Sequence, residues 1–375
     1  MGQERFADIV ERFTQGYYGD RDGEGAEFTR QWQEELDRQR RRFANLTRMV
    51  TSPPEPKTGQ TPRHEVYRKN KSRLYRYESR RTHAIPLLFV PNLGISRPYI
   101  FDLLPRSSFI EHMTNAGFDF YLLDWGVFGP EDNDLTVEDC VTRILPRMAS
   151  KVLETSGASQ LSMLGYCMGA PISASFVASH PEISVKNFVN MAGPIDFSKV
   201  GLFGLWLDKK YFDVHRFVDT LGTVPADMVK AGFKLIKPTM DVSTGLNLWW
   251  NMWNDKYLEG FNALNKWANE YVAFPAEFFR QWVGDFYQQN KLIRGELVFG
   301  GRPVRLGAIT CPVFVVGAKE DYIAPPACVR ALIDVVSSRD KEYVELPGGH
   351  ISLIAGRGAA VHCWPKVSGW LGPHS

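Results

Sequence analysis

The sequence predicts an α/β protein: a mostly parallel sheet with helices on both faces and a helical cap inserted late in the chain. Three observations predict it. Short β-rich apolar runs alternate with helical stretches from about residue 86 to 191 and again from 312 to 371. The alternation lapses between about 198 and 305, where aromatic residues crowd together. A proline-rich segment, Thr51-Ser-Pro-Pro-Glu-Pro-Lys-Thr-Gly-Gln-Thr-Pro62, stands before all of this, and neither helix nor sheet interior tolerates it.

In chain order, Phe28, Trp32, Leu36, Phe43 and Leu46 recur every three or four positions and predict a helix over 27–50. Arg38, Arg40, Arg41 and Arg42 fall on or near its polar side, either as a solvated face or as a dock for an acidic surface. Residues 1–62 therefore read as an N-terminal helical segment and its linker. A first half of the core, 63–197, holds strand 86–90, helix 99–115, strand 118–123, helix 136–154, strand 160–164, helix 168–179 and strand 185–191. The cap, 198–305, contains Trp206, Trp249, Trp250, Trp253, Trp267 and Trp282. Helical spacing runs through Trp249, Trp250, Trp253, Tyr257, Phe261 and Leu264. Most of these aromatics are expected to form cap core, with a minority lining an apolar channel. The second half of the core, 306–375, holds strand 312–316, helix 326–336, strand 342–346 and helix 357–371.

The bulk numbers narrow the function classes. With 44% apolar and 13% aromatic residues, 375 residues suffice for a large core. A formal charge of +2 gives no general reason to expect nucleic acid. Met1 to Tyr18 lacks the basic, apolar and small-residue zones of a signal peptide, and no apolar run approaches the ~20 residues that cross a bilayer. A cytoplasmic protein is expected. Five scattered cysteines show no CxxC and no zinc spacing, so reduced thiols and no metal are expected. The sequon Asn45-Leu46-Thr47 then reads as a chance match.

The chemistry concentrates in Leu164-Gly165-Tyr166-Cys167-Met168-Gly169-Ala170, placed between a predicted strand and a predicted helix. Glycines two residues either side of Cys167 permit a sharp strand-to-helix turn, a nucleophile elbow. A thiol at a helix N-terminus feels the helix dipole, and the Met168 N–H is placed to serve half of an oxyanion hole. A structural cysteine at a tight turn is the alternative if the motif stands alone. It does not stand alone. Strand 312–316 leads into Gly317-Ala-Lys-Glu-Asp321, and strand 342–346 leads into Pro347-Gly-Gly-His350. Nucleophile, acid and histidine in that order, on loops after successive strands, is the arrangement of the α/β-hydrolase fold. Asp321 is preferred as the acid, with its neighbour Glu320 as the alternative. The second oxyanion donor is expected from Pro91-Asn92-Leu93-Gly94, at the N–H of Leu93 or Asn92. Cysteine suits exchange of one thioester for another, which is close to thermoneutral, so an acyltransferase is expected.

The chain resembles the polyhydroxyalkanoate synthases over about residues 66–370. The blocks that carry the resemblance are Val90-Pro-Asn-Leu-Gly-Ile-Ser-Arg-Pro-Tyr-Ile-Phe-Asp-Leu103, Tyr121-Leu-Leu-Asp-Trp-Gly126 with Leu135-Thr-Val-Glu-Asp139, the elbow, Gly193-Pro-Ile-Asp-Phe197, the 317–325 loop and Gly348-Gly-His350. The short N-terminal segment and the Asp124-Trp125-Gly126 block are similar to those of the small synthases that work with a second subunit. The resemblance implies that 3-hydroxyacyl-coenzyme A acylates Cys167, with His350 as base and Asp321 orienting it or helping to activate the next 3-hydroxyl. It implies a growing polyester as product, a granule surface as location, and no cofactor beyond the coenzyme A of the substrate. A second synthase subunit and a homodimer both stay open as partners. The chain departs from the family pattern at Tyr322, commonly His, at Ala170, often Gly, and at Asn92 and Ser96-Arg97, commonly Pro and Asn-Lys.

Two other readings share the motif. One is a cytosolic cysteine hydrolase of the dienelactone-hydrolase or thioesterase kind, although dienelactone hydrolases are shorter and lack such a cap. The other is a non-catalytic granule-associated subunit that keeps the fold.

Overall fold

The computed structural model describes residues 24–236 and 240–375; Met1 to Tyr18, where the signal-peptide question arises, lies outside them. At its centre is an eight-stranded sheet, whose strands we number β1 (Arg63–Lys69), β2 (Ser72–Tyr77), β3 (Leu87–Val90), β4 (Phe120–Asp124), β5 (Leu161–Tyr166), β6 (Val185–Met191), β7 (Val313–Ala318) and β8 (Lys341–Leu346). They lie side by side as β1-β2-β4-β3-β5-β6-β7-β8. The β1/β2 and β2/β4 pairings are antiparallel, and all the others are parallel. The α/β class is as expected.

Every residue of β3, β5 and β7 is buried, as parallel strands covered on both faces require. The edges are charged instead: β1 exposes Arg63, His64 and Glu65, and β8 exposes Lys341, Glu342 and Glu345. Such charges discourage pairing with another chain.

Strand order explains where a cleft can open. From β3 the chain steps to β4 on one side, then crosses back over β3 to β5 and continues the other way through β6, β7 and β8. Right-handed crossovers therefore put helix Phe109–Asn115 on one face and helices Leu145–Ser156 and Gly169–Ser179 on the other. The loops after β3 and β5 diverge at this reversal, the point where open α/β sheets hold their ligands.

Several expectations need correction. The sequence pattern predicts no strands at β1 and β2, whose mixed charged and aromatic residues form no apolar run. They make a hairpin around Asn70, whose φ of 54° suits a two-residue turn. The helix expected over 99–115 is only Phe109–Asn115. A 3-10 turn, Pro98–Phe101, and a short ladder of Asp102–Leu104 with Ser107–Ser108 precede it. Pro105 has no N–H to give a helix there, and Ser108 caps the true start by accepting from the Glu111 N–H. The helical run read through Trp249 to Leu264 is two helices, Met240–Asn251 and Asp255–Trp267.

The chain separates into two compact units, one from the described residues of Met1–Pro56 with Thr239–Ala263, the other from Lys57–Pro238 with Leu264–Ser375. In the smaller, helix Glu24–Thr51 packs on Met240–Asn251 through its basic side rather than exposing all of it. Arg42 is 5% exposed; its Nε donates to the Trp249 carbonyl at 3.1 Å and its guanidinium stacks on the Trp249 ring. Arg38 lies over Trp253. Asn45 is buried and donates to the Met252 carbonyl at 2.8 Å, a position no sugar could share.

In the larger unit, the segment between β6 and β7 contributes the helices Leu202–Trp206, Val214–Leu221, Ala226–Ile236 and Ala276–Gln281, the last continuing as the π-helix Trp282–Gln288. Trp282 stacks on Phe278 and Phe286, and Phe197 meets Trp282 edge-on.

Candidate active site

Cys167 occupies the turn between β5 and helix Gly169–Ser179 with φ at +53°, a left-handed conformation that side chains avoid. Its surroundings hold it there. The Cys167 N–H donates to the Met191 carbonyl at 3.0 Å, and its own carbonyl accepts from the Ala170 N–H at 3.0 Å. A Cβ on Gly165 would fall 2.4 Å from Ala170 Cα, and one on Gly169 would fall 2.2 Å from the Val90 oxygen. Gly193, after β6, makes room for Ala170: a Cβ there would sit 2.2 Å from the alanine methyl. The extra methyl at 170 is thus accommodated by a glycine from another strand.

The acid and the histidine arrive on the loops after β7 and β8. His350 Nδ1 donates to Asp321 Oδ2 at 2.7 Å, with both residues buried. Asp321 Oδ1 accepts from the N–H groups of Ile323 and Ala324, each at 2.8 Å, so the carboxylate has no freedom to rotate away. Glu320, the alternative acid, is exposed and accepts instead from the Gly348 N–H, bracing the glycine loop that carries His350. Tyr166 donates to the His350 carbonyl at 3.2 Å and leans its ring on the imidazole.

Burial pulls the His350 pKa down, but the Asp321 charge and then Cys167 outweigh it, leaving the imidazole well above its ordinary value. Nε2 is buried and, among the described residues, has no hydrogen-bond partner of ordinary geometry; the Cys167 thiol is nonetheless close enough to raise the ring's proton affinity. Contacts of this kind often tighten only when substrate arrives. Burial raises Cys311 to about 11 and Cys363 to about 12, and pushes Cys140 and Cys328 up as well. These are packing residues.

The loop Pro91–Gly94 leaves β3 at the same sheet end as the elbow leaves β5, because Val90 pairs with Gly165. Trp125, in the loop after β4, pins this loop by donating its Nε1–H to the Pro91 carbonyl at 3.0 Å. Gly94 turns it at φ +72°, where a Cβ would strike the Phe274 ring. Leu93 is fully buried, and Asn92 is nearly so, its amide reaching Ser96 Oγ at 3.3 Å. Met168 N–H stands at the start of helix Gly169–Ser179, where the first amides lack intrahelical acceptors. Tyr322 is 57% exposed. Among the described residues no group of three or more His, Cys, Asp or Glu side chains is placed to hold a metal.

The structure thus pairs Asp321 with His350 and sets Tyr166, the chain neighbour of Cys167, against the His350 ring. Sequence reasoning missed the supports: Trp125, Tyr166, Gly193, and the amides at 323 and 324. Trp125 was visible only as part of a block, and its bond to Pro91 spans 34 positions.

Electrostatics here can be tested. Asp321→Asn is expected to lower the His350 pKa, since burial then acts without the opposing charge. A folded-state pKa above 6.5 adds stability that is complete below pH 6.5 and lost as pH rises through the folded value. The wild-type protein should therefore out-melt Asp321→Asn most between about pH 5 and 6.5, with the gap narrowing at higher pH. Glu320→Gln should melt as wild type throughout. A gap that widens with pH would contradict the assignment of the pair.

Sheet order, elbow and the two later loops define an α/β hydrolase. A family model described as alpha/beta hydrolase fold matches residues 85–356. A soluble variant of monoglyceride lipase from Saccharomyces cerevisiae superposes with a TM-score of 0.52 at 14% identity, covering 86% of this chain and 100% of that one. At that identity the likeness speaks for the fold alone. Sequence relatives go further. Poly(3-hydroxyalkanoate) polymerase subunit PhaC of Haloferax mediterranei is 34% identical over 350 residues, 92% of this chain and 70% of its own. Its counterpart in Allochromatium vinosum is 32% identical over 320 residues, 84% of this chain and 89% of its own. The chain belongs to the poly(3-hydroxyalkanoate) polymerase PhaC family.

Proposed function

We propose that this protein polymerises 3-hydroxyacyl-coenzyme A into a polyester through an acyl group carried on Cys167. The observation that carries the reading is the buried His350–Asp321 pair, 2.7 Å apart, beside a thiol held in a strained elbow. His350 takes the thiol proton, and the thiolate attacks the substrate carbonyl. The oxyanion is held by the N–H of Met168 and by that of Leu93 or Asn92. The bond from carbonyl carbon to coenzyme A sulfur breaks, and the departing thiolate takes the proton back from His350. In the next step a 3-hydroxyl gives its proton to His350 and its oxygen attacks an acyl thioester. An ester forms, a thiolate leaves, and the imidazolium returns the proton to it.

Water must lose to the alcohol in that second step. The apolar cluster of Phe197, Phe203, Trp282 and Tyr287 supports this. The relatives are each named as polymerase subunits, and the protein reads as one working with a second subunit on the surface of its polyester product. No described helix is long and apolar enough to cross a membrane.

The test is incubation of the purified protein with 3-hydroxybutyryl-coenzyme A, with intact-mass analysis of the protein and its products. Expected are a mass increase of one or more 3-hydroxybutyryl units on Cys167, coenzyme A release, and soluble oligoesters or turbidity. Exclusive release of monomeric acid would make the protein a cysteine hydrolase. Absence of any adduct and of coenzyme A release would leave a non-catalytic subunit.

A further inference from the structure

Residues 91–97 carry one of the two oxyanion donors of the steps above, yet they form no helix and no strand beyond a single bridge at Ser96. Their shape is therefore set by what holds them. The first residue is fixed from two sides. The Pro91 carbonyl accepts the Trp125 indole N–H, and a Cβ on Gly169 of the elbow would fall 2.5 Å from the same oxygen. The rest of the loop is held by the cap segment Trp267–Phe274, about 170 positions downstream.

Four contacts join the two. The Val272 N–H donates to the Ile95 carbonyl at 3.0 Å, within a lone antiparallel bridge of Ser96 with Tyr271. The Trp267 Nε1–H donates to the Arg97 carbonyl at 2.9 Å. The Tyr99 hydroxyl donates to Glu270 Oε2 at 2.8 Å. Gly94 approaches so closely that a Cβ there would sit 2.7 Å from the Phe274 ring and 3.3 Å from the Ala273 carbonyl oxygen. Two of these bonds end on backbone carbonyls of the loop, so they fix its main chain directly. Ser96 extends the hold to Asn92, whose amide reaches its hydroxyl at 3.3 Å.

The segment is itself anchored beyond Phe274. Phe274 and Val224 exchange N–H to carbonyl bonds at 3.0 and 3.1 Å. Asn133, in the loop after β4, accepts the Ala276 N–H on its side chain at 3.2 Å and the Glu277 N–H on its carbonyl at 3.0 Å. The cap segment is thus a fixed rail, and the loop lies along it.

An amide stabilises an oxyanion well only if it is already aimed at the place where the charge appears. A loop with no ladder of its own loses that aim through small main-chain shifts, and a misplacement of about 1 Å can cost about a hundredfold in rate. We propose that Trp267, Tyr99 and Glu270 are positioning residues for acyl transfer. They hold the backbone of the 92–97 loop against the cap segment, and so keep the Leu93 or Asn92 N–H aimed at the carbonyl oxygen of the acyl group on Cys167. The inference deepens the acyl-enzyme reading above and rests on it.

The experiment sets two reactions of one thiol side by side. Acylation of Cys167 by 3-hydroxybutyryl-coenzyme A passes through an oxyanion. Alkylation by iodoacetamide displaces iodide at a saturated carbon and forms none. Both are followed by rapid quench and peptide mass at residue 167. Trp267→Phe keeps a ring but removes the donor to Arg97, and Tyr99→Phe removes the donor to Glu270. Each is expected to slow saturated acylation about threefold to thirtyfold, leaving half-saturation and the alkylation rate within about twofold of wild type. Glu270→Gln still offers Tyr99 an acceptor and should acylate as wild type does, whereas Glu270→Ala should match Tyr99→Phe. Equal loss in both reactions, or wild-type acylation in both Trp267→Phe and Tyr99→Phe, overturns the positioning role while the acyl-enzyme stands. A wild-type protein that is alkylated at Cys167 but never acylated brings down the acyl-enzyme reading, and this inference with it.

Discussion

Cys167→Ser is expected to leave the fold intact and to lower turnover at least about a thousandfold, equivalent to about 4 kcal/mol of transition-state stabilisation. Serine differs from cysteine by one atom, so it should occupy φ +53° and keep the bonds to Met191 and Ala170. What it loses is acidity. A raised His350 pKa means the imidazole holds a proton readily, which suits a thiol that gives one up and disfavours a hydroxyl that does not. Melting temperature should stay within a few degrees of wild type while coenzyme A release from 3-hydroxybutyryl-coenzyme A nearly vanishes. Full activity in the serine variant would show that residue 167 is not the nucleophile.

Gly169→Ala is expected to be the most damaging of the conservative glycine changes. Its Cβ would lie 2.2 Å from the Val90 oxygen and 2.5 Å from the Pro91 oxygen, both backbone atoms that cannot swing aside. Either the elbow or the loop Pro91–Gly94 has to move, at a cost of about 1–3 kcal/mol. The Pro91 carbonyl is also the acceptor for Trp125, so that anchor is disturbed too. Displacing an oxyanion donor reduces turnover by about a hundredfold or more. Thermal melting and steady-state kinetics would check both effects. The matched control is Gly232→Ala in helix Ala226–Ile236, where nothing lies within 4 Å and the change should stabilise slightly. A Gly169→Ala protein with wild-type melting and turnover would show that the two loops are not in register as described.

The parts of the site that could be read directly share a property. Each is a short stretch whose residues act on their own backbone. Gly165 and Gly169 permit the turn at Cys167, and Gly348 and Gly349 precede His350, so the chemistry and its local geometry lie within a few positions of each other. The choice between Glu320 and Asp321 was different. Adjacent side chains leave a loop in different directions, and only the approach of the 347–350 loop from β8 puts His350 on one and the Gly348 N–H on the other. The basic run at 38–42 shows the same limit. Its exposure depended on Trp249 and Trp253, about two hundred positions away.

By itself the sequence determined the alternation of buried strands and helices, the elbow, and the order of the three residues expected to react, because apolar periodicity and glycine placement act over neighbouring positions. The tertiary structure decided the strand order, the hairpin of β1 and β2, the pairing of Asp321 with His350 and the pinning of Pro91 by Trp125. Those depend on contacts between segments tens to hundreds of residues apart. Their strength comes from burial and distance, which exist only once the chain has closed on itself.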